Sequence, residues 1–350
     1  MQLKILQNFI DFIRNKDIKL QYKEYVENLC WLKNIISIDN SVIDDALNKK
    51  ISILYREKAF TKDCTIVQKY LNSHFDITKF PKSTGEFREE QIKLTEFAYT
   101  LTKELENTIN IHPMLTGGCL IGAVRHQGFI PWDDDIDFDL MFDEFERLVN
   151  YVKTNYVYVE SNSDIAYIKH RELIHKALLG NPNKIIFSLK PSCLSAYIGT
   201  SIADCLTVDF FPRYYINPKI QKKDYIKYRE RFNSLFNKDT RFTKLFKVMD
   251  KEIKNEKIYV NHSDVTAYGF GNISFANKHF SFLKTEDILP YKQIDFEGKT
   301  FYTMNNTEKY LKDFYGDYMS FPIKLDMAKY KNKYTKILEN EEFINSLVKE

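Results

Sequence analysis

Glycine and proline are scarce in this 350-residue chain, at 11 and 9 residues. That scarcity excludes a disordered or linker-like polypeptide and favours long regular elements. Tryptophan occurs only twice, while Tyr and Phe number 23 and 27. Cysteine is limited to five scattered positions (30, 64, 119, 193, 205) with no Cys-x-x-Cys pair. An odd count without that spacing argues against a disulfide framework and against a thiolate zinc site. No uninterrupted run of about 18 apolar residues is present, so no membrane-spanning helix is expected. The opening stretch MQLKILQNFIDFIRNKDIKL is broken by Asp11 and Arg14 and has no small-residue cleavage site. It does not read as a signal peptide, and a cytoplasmic location is expected. Net charge is only +3, so the molecule as a whole is no polyanion binder. Residues 219–257 are the exception, with 13 Lys/Arg against 6 Asp/Glu.

What is abundant is apolar material in helical and strand periods. Leu3, Leu6, Ile10 and Ile13, then Tyr22, Tyr25, Leu29, Leu32 and Ile36, repeat at spacings of three and four. They predict a helical extension over 1–80. FPKSTGEF (80–87) carries Pro and Gly and marks a boundary. A long helix over about 86–109 follows, with Leu94, Ala98, Leu101, Leu105 and Ile109 on one face. IHPMLT reads as a short strand and GGCLIGAVR as a turn entering a helix. IDFDLM alternates strictly, which predicts a strand with Asp135, Asp137 and Asp139 on one face. DEFERLVNYV opens on Asp143 with Glu146 three residues later, a capping-box spacing. LTVDFFP (206–212) predicts a second strand, with Asp209 opposite Val208 and Phe210. The basic stretch 219–257 predicts two amphipathic helices. The fold class expected is α+β (mixed α/β), with a small mixed sheet flanked by helices. The catalytic part should run over 81–335, and a helical tail over 336–350.

The chemistry is concentrated in PWDDDIDFDL (131–140), which holds five aspartates in seven positions. A strand places Asp135 and Asp137 about 6 to 7 Å apart on one face, within reach of one hard cation. All-oxygen ligands suit Mg²⁺ or Mn²⁺, and Mg²⁺ usually completes its shell with substrate phosphates. An EF-hand is disfavoured because Phe138 stands where the sharp turn needs Gly. The Asp-x-Asp of a nucleotide-sugar glycosyltransferase is a rival from the cluster alone. Upstream, Gly117-Gly118 sits at a strand-to-helix turn, where backbone N–H groups can approach phosphate. Gly-Gly, Asp135/Asp137 and a lone Asp209 on a later strand form the layout of the nucleotidyltransferase superfamily.

GGCLIGAVRHQGFIPWDDDIDFDL resembles the signature of the LicD family, the phosphocholine transferases of bacterial glycans, related to the fukutin proteins. TVDFFP is similar to that family's later Asp-Ile-Phe-Pro motif. LPYKQIDFEGKTFY and YLKDFYGDYMSFP resemble its C-terminal part, so the likeness runs from about residue 86 to about 330. Two positions depart from the usual pattern. Asp139 stands where Gly is common, adding a charge near the metal, and Arg213-Tyr214 replaces Leu-Asp after Phe-Pro. Arg213 is expected either to touch a phosphate or to lie on the surface.

The resemblance implies transfer of a phosphoryl-alcohol group from a CDP-activated donor to a hydroxyl of a surface glycan (lipopolysaccharide, capsule or teichoic acid). Asp133, Asp135, Asp137 and Asp209 are the candidate metal ligands, with Asp209 also a candidate general base. Gly117, Gly118, Arg125, His126 and Trp132 are candidate phosphate or substrate contacts. The basic stretch 219–257 is a candidate for contact with the acceptor or with an inner membrane leaflet. Nothing points to nucleic acid. A nucleotidyltransferase, a glycosyltransferase and a non-catalytic adaptor in glycan assembly are the competing readings.

Overall fold

The computed structural model describes residues 72, 76–79, 82–83, 85–131, 133–160, 167–190, 192–202, 204–228, 257–269 and 282–320. Most of the helical extension expected over 1–80, most of the basic helices expected over 219–257 and all of the tail expected over 336–350 lie outside the described residues; of the basic stretch, 222–228 is helical. The described residues fall into two units: one holds Glu90–Gly128 and Asp134–Gly316, the other the remaining stretches, Phe129–Asp133 among them. In the smaller unit, a single helical turn at Ile77–Lys79 is started by Asp76, which accepts from Thr78 N–H at 3.0 Å and Thr78 Oγ1 at 2.7 Å.

The larger unit is built on one mixed sheet. Helix α1 (Gly85–Ile109) leads into β1 (Met114–Leu115), α2 (Gly117–His126), β2 (Ile136–Met141) and α3 (Phe142–Asn155). Next come β3 (Val157–Glu160), α4 (Tyr167–Gly180), β4 (Ile186–Leu189), β5 (Leu194–Ile198) and β6 (Leu206–Tyr215). The last elements are β7 (Val265–Tyr268), β8 (Leu283–Lys284), α5 (Thr285–Ile288), β9 (Lys292–Phe296), β10 (Lys299–Thr303) and α6 (Thr307–Tyr315). The strand order is β3-β4-β5-β6-β2-β1-β10-β9, with β7 also on β6 and β8 on β7. Pairs β2–β6, β3–β4 and β1–β10 are parallel and the rest antiparallel.

Ten strands exceed the small sheet expected. Most of the additional ones have two to five residues and are too short to show a period of two. The expected cap of α3 is also corrected. The strand β2 passes straight into the helix, so Met141 is the N-cap with no side-chain bond, and Asp143 lies in the first turn.

The core sits on the face opposite the aspartates. Ile136, Phe138, Leu140, Val208 and Phe210 are fully buried. Phe138 stacks on Phe210 at 5.7 Å and meets Phe301 at the same distance. Each such ring removed from water contributes about 1.5–3 kcal/mol. Helix α1 adds Leu94, Ala98, Leu101 and Leu105, all buried, as the stripe predicts. A second cluster of Ile174, Leu178, Ile186 and Tyr197 seats α4 at the β4–β5 end. Both faces of β2 and β6 thus have fixed directions, and the polar side chains on the second face are held in register.

Candidate active site

The register of β2 on β6 places Asp137 directly beside Asp209. Parallel neighbours in register project to the same side, with backbones about 4.8 Å apart. Both carboxylates are half-buried. On the next strand Ser195 is the register partner of Asp209, and on the strand after it Ser188 is the partner of Ser195. A polar row therefore crosses three strands beyond Asp137. It ends at His170 of α4, whose Nε2 is 2.8 Å from Ser188 Oγ. On the other side of Asp137, Thr116 N–H donates to the Asp137 carbonyl at 3.0 Å.

Ser195 Oγ donates a short hydrogen bond to Asp209 Oδ1. Lys190 Nζ lies 3.6 Å from the same oxygen. Lys190 stands at the tip of the β4–β5 hairpin, which its N–H closes onto the Cys193 carbonyl at 2.8 Å. Burial alone would lower the Lys190 pKa, but the Asp209 carboxylate outweighs it and holds the ammonium above its ordinary value. The hydrogen bonds among the described residues include none to Asp209 Oδ2. Burial, with Asp209 adding to it, pushes the neighbouring Cys193 thiol up to about 12 and disfavours its thiolate.

The glycine turn closes the row. Gly117 has φ +63°, a conformation that L side chains rarely adopt. A Cβ there would stand 3.3 Å from Asp137 Oδ2 and 3.9 Å from Tyr315 Oη. The bare backbone of Gly117, at the N-terminus of α2, thus lies against the Asp137 carboxylate and near the Tyr315 hydroxyl. Carboxylate oxygens on adjacent strands are donors of the kind a hard divalent cation takes.

The remaining candidates distribute as follows. Asp135 is half-buried just before β2, and its carbonyl accepts from Cys119 Sγ at 3.0 Å. Asp133 belongs to the other unit, and Trp132 lies outside the described residues. Gly118 is half-buried in the first turn of α2. Arg125 is at the opposite end of that ten-residue helix, about 12 Å along the axis from Gly117. Its Nε–H donates to His126 Nε2 at 2.9 Å. Burial, with the Arg125 charge adding to it, lowers His126 to about 3, so its ring is neutral at ordinary pH. Lys190 and Ser195 carry no motif that names them as site residues, and Tyr315 lies in the C-terminal stretch YLKDFYGDYMSFP with no site role read from it. Only the register and the helix packing reveal them.

Asp139 and Arg213 correct two expectations at once. Asp139 shares the strand face with Asp137 but is fully buried, as is Arg213. Arg213 Nη2 and Nε reach Asp139 Oδ2 at 3.0 and 3.3 Å. Tyr268 Oη lies 2.9 and 2.8 Å from the two carboxylate oxygens and 3.1 Å from Tyr310 Oη. The guanidinium lies 4.3 Å from the Tyr268 ring centroid. Arg213 therefore neither touches the surface nor is open to a phosphate. The extra charge of Asp139 is neutralised inside the protein, and the two departures from the usual LicD pattern pair with each other. Burial opposes both charges: it raises the Asp139 carboxyl above its usual range against the pull of Arg213 and Tyr268, whereas on Arg213 the Asp139 charge outweighs burial and holds the guanidinium protonated.

Residues 110–242, which contain Gly117, Asp137, Lys190, Ser195 and Asp209, match the family described as LicD/FKTN/FKRP, nucleotidyltransferase domain. Residues 110–242 are a LicD-type domain. The chain is 29% identical over 229 residues to the lipopolysaccharide cholinephosphotransferase LicD of Haemophilus influenzae, covering 59% of this chain and 82% of that protein. An uncharacterised protein of Rickettsia typhi is 29% identical over 205 residues, covering 49% of this chain and 63% of its own length. One from Rickettsia prowazekii is 37% identical over 84 residues, 20% of this chain and 31% of its own. The LicD domain boundary at 242 leaves Tyr268, Tyr310 and Tyr315 outside the match, although they close over the same strand face.

Proposed function

We propose that this LicD-domain protein moves a phosphocholine-like group from a CDP-activated donor to a hydroxyl of a cell-surface glycan. The observation that carries the reading is the in-register pair Asp137 and Asp209, with Asp137 against the Gly117 turn, inside the LicD domain. The Haemophilus influenzae relative supports phosphocholine as the group and lipopolysaccharide as the acceptor class. Capsule and teichoic acid are alternative acceptors. A cytoplasmic location, with the basic stretch 219–257 touching the inner membrane leaflet, suits a lipid-linked acceptor. Among the described residues no helix is long and apolar enough to cross a membrane.

In this reading Asp135, Asp137 and Asp209 hold Mg²⁺ or Mn²⁺. The ion, when bound, neutralises charge on the donor diphosphate. The N–H groups at the Gly117-Gly118 end of α2 receive phosphate oxygens, favoured by the helix dipole. Protonated Lys190 adds a positive charge beside Asp209. Ser195 and Lys190 both occupy Oδ1 of Asp209 and fix its orientation. Its Oδ2 is left for the ion or for the acceptor hydroxyl, whose proton it then takes. The chemistry is thus positioning and charge neutralisation, with no covalent intermediate on the protein.

The test is incubation of the purified chain with Mg²⁺, an acceptor glycan and each of CDP-choline, CDP-ethanolamine, CDP-glycerol and CDP-ribitol, followed by product mass analysis. A phosphoryl-alcohol increment is expected. A nucleotide or hexose increment from a nucleotide or nucleotide-sugar donor would overturn the donor assignment. Absence of any transfer, with no thermal stabilisation by the donors, would favour the adaptor reading.

A further inference from the structure

A cavity of about 360 Å³ opens where the parallel strands β2 and β6 end, beside the first turns of α3. Phe142, Tyr214, Tyr215 and Tyr259 line it together with Asp143 and Glu146, and no basic residue is among its lining residues. Tyr214 is stacked between Phe142, at 4.3 Å and 25°, and Tyr259, at 4.1 Å and 19°. Gly269 gives that ring its seat, since a Cβ there would come within 2.5 Å of it. Tyr225 Oη, 3.2 Å from Tyr259 Oη, donates to the Tyr268 carbonyl at 2.6 Å. The aromatic wall is therefore preformed. Tyr214 spends both faces on its neighbours, which leaves Phe142, Tyr259 and Tyr215 to meet a guest.

The acids face these rings. Burial, then Tyr259 and Glu146, push the Tyr214 phenol up, and burial, then Asp143 and Glu144, push Tyr215 up. Asp143 and Glu146 are three apart and share a side of α3. Arg147 Nη1 lies 3.4 Å from Asp143 Oδ2, but both groups are well exposed and the pair is weak. Glu146 has no cationic partner among the described residues. Negative charge set against electron-rich rings is complementary to an ammonium group and opposes an anion. The space is larger and more apolar than a bare metal ion needs, and a neutral sugar would leave the Glu146 carboxylate uncompensated.

The cavity is not the candidate active site. Tyr214 and Tyr215 are five and six residues beyond Asp209 on β6, about 16 and 20 Å along the strand. We propose that this cavity binds an organic cation, a quaternary or primary ammonium head group, at a site separate from the Asp137–Asp209 pair. The cation is either a free small molecule or a head group already attached to a glycan. The proposal does not depend on the reaction proposed above.

Calorimetric titration of the full chain tests it, with choline chloride, ethanolamine, phosphocholine-decorated oligosaccharide, its undecorated counterpart and 3,3-dimethylbutan-1-ol, the uncharged analogue of choline. A saturable site is expected that prefers choline to the uncharged alcohol by roughly tenfold, the order expected of desolvated cation–π and carboxylate contacts. Saturation by choline identifies a free cation as the occupant, and saturation only by the decorated oligosaccharide identifies a carried head group. Both outcomes support the proposal if Glu146→Gln and Asp143→Asn each weaken binding by roughly fivefold, about 1 kcal/mol for a partly screened charge pair. Asp137→Asn is expected to leave the affinity unchanged. Equal binding of the uncharged alcohol or the undecorated oligosaccharide, insensitivity to both acidic substitutions, loss of binding in Asp137→Asn, or no binding of any cation would overturn it.

Discussion

The Asp139–Arg213 pair gives the sharpest stability test. Both side chains are fully buried, and they meet at 3.0 Å. Two further donors or neighbours, Tyr268 and Tyr310, close the cluster. Asp139→Asn keeps the shape and the Tyr268 bond but removes the carboxylate charge that lies against the buried guanidinium. Breaking a buried pair in this way costs about 3–5 kcal/mol. For a unit of this size that corresponds to a fall in melting temperature of roughly 6–20 °C. Arg213→Met is expected to cost a similar amount, because the carboxylate then loses its main partner. The double variant removes both charges, and replacing a buried pair by neutral groups is often close to energetically neutral. Its loss should be smaller than the sum of the single losses by at least about 2 kcal/mol. Thermal and urea unfolding of the four proteins closes the cycle. Additive losses, or a shift of under 2 °C (roughly 0.5 kcal/mol) for Asp139→Asn, would refute the claim that the two charges depend on each other.

At the candidate site, Asp137→Asn should reduce phosphocholine transfer by at least about a hundredfold while shifting the melting temperature little, since a half-buried polar group is replaced by its isostere; retained turnover would remove Asp137 from the chemistry. Gly117→Ala forces a methyl to 3.3 Å from Asp137 Oδ2 at a backbone φ of +63°. Its cost should be about 1 kcal/mol of stability with a larger loss of activity, read by unfolding and by initial rates. Lys190→Met should lower the rate and raise the KM for the donor, and Lys190→Arg should restore part of both, whereas a purely structural lysine would move only the melting temperature. His126 provides the pH test. Its folded pKa, about 3, lies below its ordinary value, so its stabilisation is complete above about pH 6.5. It is lost as pH falls from there toward 3. Melting temperatures should therefore drop more steeply below pH 6.5 in the natural chain than in His126→Gln; parallel profiles would exclude a neutral buried ring.

Several parts of this architecture are legible in the residue order. Strict alternation in IDFDLM predicts β2, and the stripe of Leu94, Ala98, Leu101 and Leu105 predicts α1, because single-face burial imposes a period. The Gly-Gly turn and the Asp-x-Asp spacing are local and chemically distinctive, so the residue order alone exposes them. The short strands are not legible in this way, because two to five buried residues carry no period. Nor can Lys190 or Ser195 be singled out, as Ser and Lys are common and their role depends on which strand lies beside Asp209. The fates of Asp139 and Arg213 are equally hidden. By residue type and position, one reads as an extra active-site charge and the other as a phosphate contact or surface residue.

The amino-acid order by itself determined which segments bury a face, where the backbone turns at Gly117, and that several carboxylates leave one side of a strand. Those properties depend on neighbours within a few residues, where sterics and hydrophobic period act. Tertiary structure alone decided which carboxylates are active-site candidates and which is a structural counter-ion. It did so through the register of β2 on β6, which sets Asp137 beside Asp209, and through the tyrosines of β7 and α6 that shut Asp139 away from water with Arg213. A carboxylate's role is fixed by the charges and solvent around it, and those are supplied by strands and helices distant in the chain.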